Sequence, residues 1–179
     1  MDHFIGRKTE LEALKKSLSQ KKSSISVIYG RRRVGKSALI REAVKGYPVF
    51  HFEGLENQSQ SSQMLNFMTQ LAHQTHQERH STPPRDWSDA LMALLPHLKN
   101  KSAVLVLDEF QWMANYRSEL IAHLKMVWDQ YLSQIGHIHL ILCGSIASFM
   151  IKKVIGSSAL FGRTDLLIHL QPLQLEETK

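Results

Sequence analysis

The chain has 179 residues, 43% of them hydrophobic, which is enough for one domain with a substantial core. Its 22 basic and 16 acidic residues give a net charge of +6, which permits contact with phosphates or nucleic acid but does not require it. The absence of an 18-residue apolar run and of a signal-peptide pattern predicts a cytoplasmic protein without membrane contact, and the single cysteine, Cys143, excludes an internal disulfide.

The chain begins with a short arm, Phe4 to Arg7, and a predicted helix. Thr9 and Glu12 have the spacing of a capping box, in which a hydroxyl and a carboxylate bind backbone N–H groups at a helix start. An apolar stripe follows, formed by Leu11, Leu14 and Leu18. We treat residues 1–22 as an N-terminal arm and helix, and residues 23–179 as the core.

A phosphate-binding motif follows the first predicted strand, which runs from Ile25 to Tyr29. Two glycines separated by four residues and followed by Lys-Ser form this motif, Gly30-Arg31-Arg32-Arg33-Val34-Gly35-Lys36-Ser37. Helix formers from Ala38 to Val44 place the loop at a helix N-terminus, where unpaired N–H groups and the helix dipole favour anions. The sequence therefore predicts a nucleotide site formed by Gly30, Arg31, Arg32, Arg33, Val34, Gly35, Lys36, Ser37 and Ala38.

The residue types in this loop suit a polyphosphate and its metal ion. Gly30 and Gly35 allow the backbone to turn its amides inward, where a Cβ would obstruct them. Lys36 supplies a mobile charge for the β- and γ-phosphates, and the Ser37 hydroxyl can ligate Mg²⁺. A glycine turn with an accidental Lys-Ser is the alternative, but such a match is expected in only about one per cent of chains of this length.

A short strand, helices and a polar segment are predicted next. The segment from Gln58 to His80 is rich in Gln, Ser and His. His73, His76 and His80 share helical spacing, but no acidic or cysteine ligand accompanies them, which favours a solvated helix face over a metal site. Asp86 is predicted to cap the next helix.

A second chemical motif ends the strand from Ala103 to Leu107. This continuous apolar run is typical of a strand buried on both faces of a parallel sheet, and it leads directly into Asp108 and Glu109. Ligands of such sheets bind at the carboxyl ends of the strands. Asp108 is placed to hold Mg²⁺ through water and Glu109 to polarise an attacking water, a pairing that predicts hydrolysis. The alternative is that both acids only form a turn.

The last part of the chain adds a long helix and two strands. A strand from Ile138 to Cys143 ends in Gly144 and Ser145, and the final strand runs from Asp165 to Leu170. Two interpretations of Ser145 stay open: its hydroxyl senses the γ-phosphate, or it caps a helix over residues 146–154. Strands alternate with helices throughout, which predicts a three-layer α/β fold with a parallel sheet covered on both faces.

The ordered set of motifs resembles the archaeal and bacterial P-loop ATPases of the AAA+/STAND group, in the MNS clade. The segments that carry the resemblance are Phe4-Ile5-Gly6-Arg7, Tyr29 to Ser37, Leu107 to Gln111, Cys143-Gly144-Ser145 and Leu160 to Arg163. The resemblance spans nearly the whole chain. It implies ATP or ADP as the nucleotide, Mg²⁺ as the metal, and a central five-stranded parallel sheet in the order 5-1-4-3-2.

Carried over by position, the resemblance implies further site residues. Gly6 and Arg7 match a box near adenine, and Ser145 matches the first sensor. Arg163 matches an arginine finger that reaches the γ-phosphate of a neighbouring subunit, which implies a homo-oligomer; a plain surface arginine is the alternative. Lys8 departs from the family, which tends to have an acid there.

Two functions stay open. The first is a Mg²⁺-dependent ATPase, with catalytic roles for Lys36, Glu109, Ser145 and Arg163. The second is a nucleotide-dependent switch or scaffold that holds ATP or ADP with little turnover. A GTPase is disfavoured because the chain has no Asn-Lys-x-Asp guanine-reading motif.

The resemblance also implies regions C-terminal to the core. Members of the family continue past the fifth strand into a helical lid and a winged-helix-like region, through which a protein or DNA partner is implied. This chain ends at Lys179. We therefore expect the ATPase core alone, with weak turnover or none.

Overall fold

The computed structural model describes residues 6–78, 82–98, 102–115 and 119–172. Within these ranges five strands form one sheet with helices on both faces. The strands are β1 (Ser24–Tyr29), β2 (Val49–Glu53), β3 (Ala103–Asp108), β4 (Ile138–Gly144) and β5 (Thr164–His169). The helices are α1 (Lys8–Leu18), α2 (Lys36–Ala43), α3 (Gln60–Thr75), α4 (Trp87–Met92), α5 (Leu95–Leu98), α6 (Phe110–Met113), α7 (Leu120–Val127) and α8 (Ala147–Phe149). Wider π-helical turns continue α7 and α8, over Trp128–Leu132 and Met150–Ile155.

All neighbouring strands are parallel, and their order is β2-β3-β4-β1-β5. This is the order 5-1-4-3-2 seen from the other side of the sheet, so the predicted fold is confirmed. The three central strands are buried along their whole length, whereas β2 and β5 at the edges are partly exposed. A strand buried on both faces needs apolar side chains at most positions, which explains the unbroken apolar runs in the sequence.

The core divides between the two faces because successive side chains of a strand point in opposite directions. On one face, Ile25 and Val27 of β1 lie in a cluster with apolar residues of α3, α4 and α7. On the other face, Ile28 lies in a cluster with Leu14 and Leu18 of α1 and with α2. The helix assigned to the N-terminal arm thus packs into the same core as the sheet.

The start of α1 differs from its prediction. Arg7 precedes the helix in a left-handed conformation, with φ of 57°, and its side chain makes no capping hydrogen bond. The capping box predicted from Thr9 and Glu12 is wrong, because the helix begins before Thr9. The cap predicted at Asp86 is confirmed: its carboxylate accepts a hydrogen bond from the Asp89 backbone N–H at 3.0 Å.

Two of the three histidines predicted to form a solvated face lie at the end of α3. His73 and His76 are exposed, and His80 lies outside the described residues. Among the described residues, no group of three or more His, Cys, Asp or Glu side chains is arranged to hold a metal ion. No helix within the same ranges is both long and apolar enough to cross a membrane.

The glutamine-rich segment contacts the edge of the sheet. Three glutamines of α3 each bind both the backbone N–H and the backbone C=O of one residue at the β2 edge, at 2.5–3.0 Å. These pairs, which we call the glutamine row, are Gln74 with His51, Gln70 with Glu53, and Gln63 with Leu55. Alternate residues of an edge strand present their backbone groups outward, so each amide completes one position of the ladder. The glutamine row therefore closes the β2 edge.

Replacing Gln70 and Gln74 together with alanine is expected to expose this edge and to lower the free energy of unfolding by about 2 kcal/mol. Each amide makes two hydrogen bonds to the backbone at the β2 edge, and an uncovered strand edge can pair with another chain. Urea unfolding measures the stability, and light scattering at rising protein concentration measures self-association. Gln77→Ala, at an exposed glutamine beyond α3, should change neither. A double variant as stable and as monomeric as this control would contradict the role of the row.

Candidate nucleotide site

The carboxyl edge of the sheet brings the predicted motifs together. Parallel strands end at the same edge, and β3, β4 and β1 are neighbours in the sheet. Gly30 follows β1, Asp108 ends β3 and Ser145 follows β4, so all three lie side by side although they are far apart in the chain. This edge is where parallel α/β sheets bind their ligands.

The phosphate loop requires glycine at both of its ends. A Cβ at Gly30 would come within 2.1 Å of the Leu170 carbonyl oxygen, in the segment after β5. Gly35 has φ of 96°, in the left-handed region, and directly precedes α2. The loop thus runs into the start of a helix, where backbone N–H groups are available to an anion.

Lys36 lies inside the loop. It is only 6% exposed, and its Nζ donates hydrogen bonds to the carbonyl oxygens of Gly30 and Arg31, each at 2.9 Å. A cleft of about 710 Å³ opens beside it, lined by Arg32, Arg33, Gly35, Lys36, Ser37, Ala38 and Glu109. This arrangement sets a buried positive charge at the wall of a polar cleft.

The three arginines of the loop, Arg31, Arg32 and Arg33, are exposed. Arg32 pairs with Glu56 at 3.1 Å, and both side chains are largely in solvent, where an ion pair contributes little to stability. Of the three, Arg32 and Arg33 line the cleft. They add positive charge at its mouth.

Arg7 lies against the phosphate loop. The residue is 5% exposed, and its Nη2 donates to the Val34 carbonyl oxygen at 3.1 Å and to the Gln171 carbonyl oxygen. Its Nη1 pairs with Glu10 at 3.4 Å. Gly6 precedes it with φ of 74°. Arg7 therefore joins three parts of the chain, namely the N-terminal arm, the phosphate loop and the segment after β5.

The two residues predicted to hold Mg²⁺ are in contact. The Ser37 hydroxyl donates to Asp108 Oδ2 at 3.1 Å, and the Glu109 backbone N–H donates to Asp108 Oδ1 at 2.8 Å. Burial by itself raises the pKa of the Asp108 carboxyl. Its hydrogen-bond donors outweigh burial and lower this pKa to about 2; they belong to His51, Cys143, Glu109 and Ser37. Asp108 is therefore ionised at neutral pH, and its carboxylate oxygens could hold a cation.

Cys143 is buried beside Asp108 at the end of β4. Burial raises the pKa of its thiol well above the usual value, and the nearby Asp108 charge raises it further. A protonated, buried thiol is a poor nucleophile, so Cys143 is an unreactive core residue.

Glu109 and Ser145 are joined by a hydrogen-bond cluster that includes Gln111. The Glu109 Oε2 accepts from the Ser145 hydroxyl at 2.7 Å and also from Gln111 Nε2. The Ser145 backbone N–H donates to Gln111 Oε1 at 3.1 Å. Ile146, not Ser145, occupies the position before α8, so the helix-cap interpretation of Ser145 is wrong. Its hydroxyl is directed at Glu109.

Gln111 was missed as a functional residue in the sequence. It occurs within the segment Leu107 to Gln111, which contributes to the family resemblance, but only its burial and its contacts distinguish it from a surface glutamine. Glu109 itself has φ of 48°, a left-handed conformation that is unfavourable for a residue with a side chain.

Arg163 lies away from these groups. It directly precedes β5, at the amino edge of the sheet, whereas the phosphate loop is at the carboxyl edge. Its Nε and Nη2 donate to the two Asp129 carboxylate oxygens at 2.7 and 2.8 Å. These hydrogen bonds lower the pKa of Asp129. Within one chain, Arg163 is therefore a partner of Asp129 and does not contact the loop.

Comparison with known sequences identifies relatives in archaea. An uncharacterized protein of Methanocaldococcus jannaschii is 27% identical over 177 residues, which are 98% of this chain and 37% of that protein. An uncharacterized ATP-binding protein of the same organism is 46% identical over 39 residues, 22% of this chain and 66% of that protein. The chain thus spans little more than a third of the length of the first relative.

Solved structures share the fold. The ORC2 protein of Aeropyrum pernix, determined in complexes with ADPNP and ADP, superimposes with a TM-score of 0.66 and 22% identity, over 95% of this chain and 50% of that chain. A Walker-type ATPase of Pyrococcus abyssi gives a TM-score of 0.64 with 18% identity, over 97% and 55% of the two chains. Drosophila ORC bound to DNA gives 0.65 with 14% identity, over 97% and 45%. At these identities the likeness establishes the shared three-layer α/β fold alone.

A family described as an ATPase domain predominantly from Archaea matches residues 4–179. The match covers almost the whole chain, from the arm before α1 to the last residue. It includes the phosphate loop, the Asp108-Glu109 pair and the strand end at Ser145. The chain belongs to this family of archaeal ATPase domains.

Proposed function

We propose that the domain binds ATP with Mg²⁺ in the cleft beside the phosphate loop and hydrolyses it, with Glu109 as the general base. The observation that carries the proposal is the meeting of Lys36, the Ser37–Asp108 pair and Glu109 around one edge of the sheet. A lone phosphate loop would support binding only. A carboxylate at the wall of the same cleft supports removal of a proton from water.

Each side chain has a distinct part in this proposal. Lys36 binds the β- and γ-phosphate oxygens, together with the backbone N–H groups at the start of α2. Glu109 accepts a proton from the attacking water while Ser145 donates a hydrogen bond to the carboxylate. The assignment of Gly6 and Arg7 to the region near the base of the nucleotide stays a prediction, supported by the contact of Arg7 with Val34 in the loop.

The residues present fit Mg²⁺. Ser37 and Asp108 offer a hydroxyl and an ionised carboxylate 3.1 Å apart, and oxygen donors of this kind are what Mg²⁺ requires. Mg²⁺ usually takes only one or two protein ligands and completes its shell with phosphate oxygens and water. When bound there, it would neutralise charge on the phosphate oxygens. We propose that Ser37 ligates the ion and that Asp108 holds it through water.

The alternative is a nucleotide-dependent switch with little turnover, and the position of Arg163 favours it for an isolated chain. Arg163 pairs with Asp129 at the amino edge of the sheet, so an arginine finger would have to come from a second subunit. The homo-oligomer, and the protein or DNA partner implied by the resemblance, stay predictions. One structural neighbour is a DNA-bound complex, which makes DNA a reasonable first partner to test.

An ATP titration by calorimetry, with Mg²⁺ and with EDTA, followed by phosphate release on the same sample, tests the proposal. We expect Mg²⁺ to increase the affinity for ATP, and we expect Asp108→Asn to lose this increase, because an amide is a weaker ligand than a carboxylate. Binding with release supports the ATPase, and binding without release supports the switch. No binding in either buffer overturns both.

A further inference from the structure

The Gln111 side chain is buried between the carboxyl ends of β3 and β4, where it contacts Glu109 and Ser145. It is 3% exposed and belongs to α6, the short helix that begins directly after Glu109. A buried amide must find hydrogen-bond partners for both its oxygen and its nitrogen. We infer that Gln111 is a positioning residue, which holds the Glu109 carboxylate and the Ser145 hydroxyl in one arrangement for hydrolysis; this inference rests on the proposed function of Glu109.

Both ends of the Gln111 amide are engaged. Its Nε2 donates to Glu109 Oε2 and lies 3.0 Å from the Ser145 Oγ, while its Oε1 accepts from the Ser145 backbone N–H at 3.1 Å. The amide group is planar, so fixing its oxygen on the Ser145 backbone also fixes the direction in which its nitrogen points. The backbone at the end of β4 thereby sets the orientation of the carboxylate at the end of β3.

Gly144, at the end of β4, lies against the side chains of Met150 and Gln111. A Cβ at position 144 would lie 2.9 Å from Gln111 Oε1 and 2.4 Å from Met150 Sδ. Real Cβ atoms essentially never approach other atoms that closely, so a larger residue here would displace Met150, Gln111 or both. Gly144 therefore leaves room first for the Met150 side chain and, beside it, for the end of the Gln111 amide.

Positioning matters because a general base works only within hydrogen-bond reach of the proton it removes, about 2.6–3.2 Å between heavy atoms. The Glu109 side chain has several rotatable bonds, and without a partner its carboxylate would sample many positions. The hydrogen bonds from Gln111 and Ser145 both end on Oε2. A carboxylate anchored through one oxygen can accept a water proton on the other.

Gln111→Ala is expected to lower kcat about tenfold to a hundredfold, because misplacement of a catalytic group by about 1 Å has an effect of this size. The KM for ATP should change less than about threefold, since Gln111 does not line the loop cleft. In a Glu109→Gln background the same substitution should have no further effect on turnover, because a positioning residue acts only through the group it positions. Gln63→Ala is the matched control, since Gln63 is a glutamine 1% exposed that binds the backbone at Leu55. It should lower stability and leave kcat unchanged.

A measurement without turnover tests the same contact. The side-chain amide protons of Gln111, detected through ¹⁵N, should exchange slowly with solvent in the unsubstituted chain. Glu109→Ala should speed this exchange at least about tenfold, and the control Glu53→Ala should not change it. Amide exchange that is unaffected by Glu109→Ala overturns the inference, whether or not the chain hydrolyses ATP. If turnover depends on Glu109 but Gln111→Ala turns over like the unsubstituted chain, the inference fails while the proposed function stands. If turnover does not depend on Glu109, the proposed function fails.

Discussion

Lys36→Ala is expected to weaken ATP binding about a hundredfold, which corresponds to a loss of about 3 kcal/mol. The Nζ group is buried in the loop, next to the cleft, and already lies within hydrogen-bond distance of two loop carbonyls. Bound phosphates would add charge-assisted hydrogen bonds to this nitrogen, and alanine removes both the charge and the donors. Calorimetric titration with Mg²⁺ and ATP measures the change.

The control for Lys36→Ala is Lys45→Ala. This substitution removes the same charge just beyond the end of α2, where the side chain is 67% exposed and pairs with Glu42. It should leave the affinity for ATP unchanged within about twofold, since exposed charges are largely screened beyond about 10 Å and Lys45 follows the end of α2 that is remote from the loop. An affinity of Lys36→Ala equal to that of Lys45→Ala would refute the assignment of Lys36 to the phosphates.

Glu109→Gln is expected to preserve ATP binding and to lower phosphate release about a thousandfold. Glutamine has nearly the same shape as glutamate and can still accept a hydrogen bond from Ser145, but it cannot take a proton from water. The affinity for ATP should stay within about threefold, because binding depends on the loop and not on this carboxylate. Phosphate release under saturating ATP measures the loss.

Glu53→Gln is the matched control for Glu109→Gln. Glu53 ends β2 and lines a neighbouring cleft of about 400 Å³ together with Glu109, so the two substitutions change charge in the same region. It should leave turnover within about twofold. Equal turnover in the Glu109→Gln and unsubstituted chains would show that another group acts as the base.

The loop and the acidic strand end could be predicted because their signals are local. A strand, a glycine turn with Lys-Ser and a helix occupy consecutive residues, and so do the apolar run and Asp108-Glu109. The strand order, in contrast, could not be predicted from local signals. The alternation of strands and helices indicated a parallel sheet, but the order 5-1-4-3-2 came from the family resemblance. The contact between Ser37 and Asp108 follows once β1 and β3 are known to end at the same edge.

The features that were missed depend on contacts between distant residues. Arg7 precedes α1 in a left-handed conformation while its side chain contacts Val34 and Gln171, which are 27 and 164 residues away in the chain. No local capping pattern contains that information. The glutamine row likewise depends on β2 being an edge strand that lies beside α3, so composition alone indicated only a polar segment. Gln111 was missed for the same reason, because its contact with Ser145 joins residues that are distant in the chain.

The Leu170 carbonyl fills the space that a side chain at Gly30 would need, so the first turn of the phosphate loop packs directly against the backbone that follows β5. The Leu170 N–H donates to the Tyr29 carbonyl at 2.7 Å, and Arg7 ties Val34 to Gln171. We therefore expect a nucleotide that shifts the loop to shift the backbone at residues 170–171 as well. Coupling between two binding sites is reciprocal. If the nucleotide changes the affinity of a partner for this backbone by some factor, the partner changes the affinity for the nucleotide by the same factor. A partner bound to the chain after β5 would in this way regulate the affinity of the phosphate site for its nucleotide.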